Sequence, residues 1–257
     1  MSTATLHAQN QTKAPRRKLS VGLAQTAWDI QEAQRLRYRV FAGELGANLP
    51  TPIPGVDQDI YDPFCEHLIV RDDQEGSVVG TYRILSPESA RRIGNYYSEN
   101  EFDLTRLQML RPRLVEIGRS CVHPDYRNGA TIALLWGGLA KYMLENHYNY
   151  LIGCASISMA DGGHGAASLY RRLGEYMSPL EYRVFPRCPL PLEALRQDQP
   201  AELPPLIKGY LRAGAYICGD PAWDPDFNTA DFLILLPMQK LNQRYARHFL
   251  KTNVRAN

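Results

Sequence analysis

No stretch of this 257-residue chain is apolar for long enough to cross a membrane. The longest hydrophobic runs, Ile132 to Trp136 and Phe232 to Leu236, stop at Gly or Pro far short of the roughly 20 residues a span needs. The polar opening segment, Met1 to Lys18, has no apolar core of a secretory signal, which leads us to expect a cytoplasmic protein. Cysteine is sparse: Cys65, Cys121, Cys154, Cys188 and Cys218 are odd in number, widely spaced and without a C-x-x-C pair, as suits a reducing compartment. His67, His123 and His164 lack H-x-x-x-H spacing, and no metal is assigned to them. There is no G-x-S-x-G elbow to present a nucleophilic serine.

Charge is nearly balanced at +2, but it is unevenly spread. Residues 1–18 carry four basic and no acidic side chains, residues 232–257 five basic and none acidic, leaving 20 basic and 27 acidic in the body. Basic ends on an acidic body suit contact with an anionic surface through the termini, and speak against nucleic acid gripped by the core. At helical spacing Leu241, Tyr245 and Phe249 share a face flanked by Lys240, Arg244, Arg247 and Lys251. A helix over 238–251 is therefore expected, laid out for peripheral contact with an anionic membrane.

The alternation of Leu19, Val21 and Leu23 predicts a strand, and Ile30, Ala33, Leu36 and Val40 predict a helix over 28–46. Residues 48–64, with four prolines and three aspartates, read as a functional loop. Strands are expected over 66–71, 77–85, 114–122, 150–156 and 232–236, with short helices in 87–110 and others over 130–147 and 166–173. This order is that of an α/β domain with a mixed sheet. Residues 1–18 are expected to be a disordered arm and 19–257 a single domain, with a proline-rich excursion over 186–205.

Within the central strand, Leu114-Val115-Glu116-Ile117-Gly118-Arg119-Ser120-Cys121-Val122, two charges interrupt an apolar pattern. Buried charges are costly unless paired or used, so Glu116 and Arg119 are candidates either for an internal ion pair or for chemistry. Three apart, they would face opposite sides of a regular strand; a bulge at Gly118 would bring them together. Upstream lie Arg37-Tyr38-Arg39-Val40-Phe41, the acidic run Asp57-Gln58-Asp59-Ile60-Tyr61-Asp62, and Arg83.

In this order the motifs R-x-x-x-F, an acidic x-x-D-x-x-D loop, Arg83 and E-x-x-R resemble the GNAT superfamily, specifically the acyl-homoserine-lactone synthases. The first acidic position here is Asp57 where that group has Glu. Ala47 stands where adenosylmethionine-using synthases place a Trp, which points to a smaller amino-acid substrate. From Tyr38 onward the chain is similar to the ornithine–acyl carrier protein N-acyltransferases, most of all in Pro204 to Leu211 and Gly219 to Asp231. That resemblance implies a GNAT-type mixed sheet flanked by helices. It also implies transfer of a (3-hydroxy)acyl chain from acyl carrier protein to the α-amine of L-ornithine, giving lyso-ornithine lipid. No cofactor is expected beyond the carrier's own phosphopantetheine. Lactone synthesis, or a non-catalytic haemolysin-like membrane-associated role, are the alternative readings.

The resemblance implies roles for particular residues. Glu116 is the expected general base and Arg119 its partner in turnover. Asp57, Asp59 and Asp62 are expected to hold the ornithine side-chain ammonium, Arg83 or Arg37 its carboxylate, and Phe41 to border the substrate. Arg127-Asn128-Gly129-Ala130 approximates the superfamily's Q/R-x-x-G-x-G/A turn, with Arg and Gly one residue too close, and is expected to meet the pantetheine. Backbone amides near Cys121 and Val122 are expected to receive the thioester carbonyl. Arg111, Arg113, Arg127, Arg171 and Arg172 are candidates for docking the acidic carrier protein.

Overall fold

A computed structural model describes residues 17–241. Strand β1 (Leu19–Leu23) is followed by helix α1 (Ala27–Tyr38), whose start is fixed by a capping box in which Thr26 and Asp29 hold each other's backbone amides. The helix continues as a wider π-turn, Arg39–Glu44, and stops at Gly46 with φ of 73°, so the expected span 28–46 is helical but changes pitch. The loop through residues 48–61 is irregular, as its prolines require.

The antiparallel pair β2 (Glu66–Asp72) and β3 (Val78–Leu85) leads into α2 (Pro87–Ile93). Next come a 3-10 turn at Tyr97–Asn100, the short β4 (Phe102–Asp103) and a 3-10 run, Thr105–Arg113. The central strand β5 (Leu114–Val122) feeds α3 (Ala130–Glu145), then β6 (Tyr150–Ser158) and α4 (His164–Arg172). Beyond these lie β7 (Phe185–Pro186), which pairs with β4, then α5 (Pro205–Ala213), β8 (Tyr216–Ile217), β9 (Ala222–Asp224) and β10 (Thr229–Pro237). Helix α5, which buries Ile207, Tyr210 and Leu211 at helical spacing, and the short β8 and β9 are additions to the expected order. The main sheet runs β1-β2-β3-β5-β6-β10-β8, with β9 also on β10; β5 and β6 are parallel and its other pairs antiparallel.

Helix α3 presents Leu134, Leu135, Leu139, Tyr142 and Met143 to one side of the sheet, all buried as their spacing predicts. Full burial of each large aliphatic chain contributes about 1.5–3 kcal/mol, so this face holds the layer in place. The opposite side of the sheet buries Leu85, Leu114, Ile152, Leu233 and Leu235 beneath the segment Tyr96–Leu107. Met238–Lys240 form one 3-10 turn and Leu241 leaves helical geometry, so no α-helix starts at Met238. The rest of the expected helix over 242–251, and residues 1–16 of the N-terminal arm, lie outside the described residues. Among those described, no helix is long and apolar enough to cross a membrane.

Candidate active site

Strands β5 and β6 are paired only from Leu114 opposite Tyr150 to Glu116 opposite Ile152. Beyond Glu116 they part. On β5 the register to β3 passes from Arg83 opposite Gly118 to Thr81 opposite Cys121, so Arg119 and Ser120 together face Tyr82. A bulge thus lies just after Gly118, with Arg119 at φ of 52°, but it does not bring Arg119 to Glu116 as the spacing led us to expect. On β6, Gly153 is obligatory: a Cβ there would stand 2.5 Å from the Ile117 carbonyl oxygen.

Between the parted strands lies a cavity of about 270 Å³ reached by residues 117–120 of β5 and 153–156 of β6. Alternation along β6 gives it two characters. Toward α5 it is apolar, bounded by Leu151, Leu206, Ile207 and Ile234, with a hydrogen bond between the Tyr82 and Tyr210 hydroxyls (2.7 Å). On the other side it meets Arg83, Glu116, Cys154 and Asp231. Phe41 borders it, as expected, and packs edge-on to Phe227.

Glu116 is 4% exposed, and its two oxygens accept the backbone amides of Tyr97 (2.6 Å) and Ser98 (2.8 Å). Burial pushes its carboxyl above the ordinary value, and these donors pull it back. Arg119 does not pair with Glu116. It reaches Asp59 (3.2 Å) and Asp57 (3.2 Å), and its guanidinium lies over the rings of Phe227 (4.6 Å) and Tyr97 (5.0 Å).

The acidic loop corrects the expectation placed on it. Asp57 and Asp62 are buried against Arg37, itself fully buried, through Nε–Oδ2 (2.8 Å) and Nη1–Oδ1 (2.8 Å) contacts, and Arg37 also donates to the Asp57 carbonyl (2.6 Å). Arg83 binds Asp59 (2.6 Å) and Asp62 (3.1 Å). Each aspartate therefore neutralises an arginine of the fold and is not left for a substrate ammonium. Arg37, shut away behind them, does not border the cavity and is withdrawn as a carboxylate ligand; Arg83 does border it. Burial would raise the Asp62 carboxyl, but Arg37 and Arg83 hold it well below its ordinary value. Beside it, burial and Arg37 lower His67 to about 4, so that ring is neutral.

Cys121 and Val122 are also corrected. They resume pairing with β3 beyond the bulge; the Cys121 side chain is buried with Ala33, Leu36 and Ile69 under α1, and Val122 packs into the main core. Neither borders the cavity, where the loosened backbone is that of Arg119 and Ser120. Arg127, Gly129 and Ala130 lie apart from the cavity, exposed at the start of α3, with Gly129 at φ of 85° as its N-cap and Arg127 on Glu44 (2.8 Å). Burial pushes the thiols of Cys65 and Cys121 up to about 12 and that of Cys154 well above its ordinary value, so none of these offers a thiolate at neutral pH.

Sequence reasoning missed a second group of carboxylates. Asp231 on β10 (3% exposed) and Asp224 on β9 (8% exposed) border the cavity, and Glu101 reaches Asp231 and Cys154 from the covering loop. A lone Asp at the head of the apolar run Phe232–Leu236 was the available signal; Glu101 had none.

The profile of the acetyltransferase (GNAT) domain family matches residues 36–137. The L-ornithine N(alpha)-acyltransferase of Brucella abortus (strain 2308) is 36% identical over 255 residues, covering 90% of this chain and 88% of that protein. That of Rhizobium meliloti (strain 1021) is 37% identical over 249 residues, covering 90% and 84%. Among solved structures, the acyl-homoserine-lactone synthase LasI superposes with a TM-score of 0.53 at 16% identity, covering 88% of this chain and 96% of its own. FeeM, an N-acyl amino acid synthase from uncultured soil microbes, gives 0.52 at 12% identity, covering 90% and 98%. These two show the shared fold.

Proposed function

Because the chain belongs to the L-ornithine Nα-acyltransferase family of GNAT N-acyltransferases, we propose that it transfers a (3-hydroxy)acyl chain from acyl carrier protein to the α-amine of L-ornithine. The product would be lyso-ornithine lipid, opening ornithine lipid synthesis. The observation that carries this reading is the cavity between the parted strands, apolar toward α5 for an acyl chain and charged on its other side for an amino acid.

The neutral α-amine attacks the thioester carbonyl directly, the N–C bond forms, the C–S bond breaks, and the proton given up by nitrogen ends on the departing pantetheine thiolate. No acyl-enzyme is needed, which agrees with the raised thiols. Glu116, at the last paired position before the strands part, accepts that proton; each of its oxygens holds one backbone amide and keeps a second lone pair. Arg83 faces the α-carboxylate. Arg119 acts through the acidic loop and the Tyr97 ring, as a positioning residue.

The pantetheine arm enters past the start of α3, by Arg127, Gly129 and Ala130. The acidic carrier docks on Arg111, Arg113, Arg127, Arg171 and Arg172, so its use should weaken as salt rises. The deciding experiment incubates purified protein with 3-hydroxyacyl carrier protein and L-ornithine, and analyses lipids from expressing cells by mass spectrometry. Lyso-ornithine lipid is expected in both. A diffusible lactone, or no acylated amine at all, would overturn the reading.

A further inference from the structure

Asp224 and Asp231 border the polar end of the cavity, with Glu101 standing behind Asp231 and Cys154. The side-chain oxygens of Glu101 and Asp231 and the Cys154 sulfur lie within 4.8 Å of one another. Both Glu101 oxygens are closed off from solvent, and among the described residues their side-chain hydrogen-bond partners are the Asp231 carboxyl and the Cys154 thiol, neither of them a cation. Asp231 is held by Thr229 (2.9 Å), and Asp224 by the amides of Asp226 (2.9 Å) and Phe227 (3.1 Å), so their positions are fixed. Among the described residues, none of the three has an ion-pair partner. Burial, with Asp224, raises Asp231, and burial, with Asp231, pushes Glu101 up to about 10, the behaviour of a site that keeps a proton for want of another cation.

We propose that Glu101 and Asp231, with Asp224 beside them, form the seat for the side-chain ammonium of the amino-acid acceptor. The inference rests on the amino-acid N-acylation proposed above and deepens it. The nucleophilic amine must be neutral and must lie by the parted strands next to Glu116. A group of buried carboxylates farther along β6 suits the amine that stays charged. An ammonium is satisfied by two or three oxygens at hydrogen-bond distance and supplies the cation that Glu101 lacks. Asp231 pairs with Ser156 in the sheet, two residues beyond Cys154 and four beyond Ile152, which stands opposite Glu116. At about 3.3 Å per residue, Cys154 with Glu101 beside it stands about 7 Å along β6 from the position opposite Glu116, close to the separation of the two amines of a short diamino acid.

The test compares two acceptors, L-ornithine and L-2-aminopentanoate, which has the same carbon chain without the terminal amine, using Glu101→Gln and Asp231→Asn. Both isosteres relieve like-charge repulsion, so folded variants are expected; if Asp231→Asn does not fold, Glu101→Gln carries the test alone. KM for ornithine should rise about tenfold to a hundredfold, the loss expected for a charged hydrogen bond, while KM for 2-aminopentanoate stays within about twofold. Equal losses for both acceptors, or no loss for either, would overturn the inference and leave the acylation reading standing. A wild-type protein that does not acylate ornithine would overturn both. Stoichiometric zinc in the purified protein, absent from Glu101→Gln together with activity, would assign these ligands to a metal and also overturn the proposal.

Discussion

Two groups of buried carboxylates lie within one site, and they differ in a single respect. Asp57, Asp59 and Asp62 are matched by Arg37, Arg83 and Arg119, while among the described residues no cation pairs with Glu101 or Asp231. In the first group Arg37 and Arg83 hold the Asp62 carboxyl well below its ordinary value; in the second, burial and the Asp231 carboxylate hold a proton on Glu101. A charge already answered within the fold serves stability. One left unanswered beside a cavity is available to a ligand.

The sharpest way to break this contrast is to unpair the first group. Arg37→Met takes from the buried Asp57 and Asp62 the cation closest to both, leaving them only Arg119 and Arg83 at 3.2 and 3.1 Å, and should cost about 3–5 kcal/mol in urea unfolding. Near wild-type stability would mean that the loop does not depend on its arginine.

Acid should expose the same group from the other direction. Asp62 has a folded value below its unfolded 3.8, so its contribution is present above that value and lost as pH falls through the folded one. His67, lowered from 6.5 to about 4, is neutral when folded while the unfolded ring takes a proton, so stability is complete above 6.5 and declines toward 4, by about 3 kcal/mol in all. His67→Gln should flatten the curve in that window. An unchanged slope between pH 6.5 and 4 would contradict the assignment.

Glu116 stands between the two groups, and Glu116→Gln keeps acceptor capacity for one backbone amide while removing the base. Turnover should fall about a hundredfold, and the one backbone amide left without an acceptor should cost about 1–3 kcal/mol of stability. A folded variant at near wild-type rate would move the base elsewhere.

The smallest effect should belong to the unmatched pair. Glu101 has a folded value raised from 4.5 to about 10, so its contribution is fully present below 4.5 and is lost as pH rises. Glu101→Gln should therefore be more stable than wild type at pH 8, with the gap closing toward pH 4.5. A variant less stable at pH 8 would show that Glu101 has a cationic partner in the fold.

Much of this was legible in residue order. The strand 114–122, its bulge, the α3 face and the motif arginines could be read because periodicity and charge placement are local properties. What Arg37 touches could not be read that way. A guanidinium on one helix face looks the same whether it meets substrate or a loop twenty residues on, and only the docking of α1 against the sheet turns it inward. Glu101 and Asp231 come together because β10 pairs with β6 while the loop after α2 folds across it, a contact between distant segments that neither leaves a trace of. Asp231 was noticed only as part of a family-like tail.

Glu116 grips the loop at Tyr97 and Ser98, three residues before Glu101, while the apolar half of the cavity is built from α5 and the sheet. The cover of the polar half is therefore carried on its own piece of chain, although Arg83, Glu116 and Asp231 alternate with apolar residues on the shared strands. Descent could revise the amine that is accepted by rewriting the loop between α2 and β4, with the thioester side untouched, and exchanging that loop between relatives would be the economical way to retarget the enzyme.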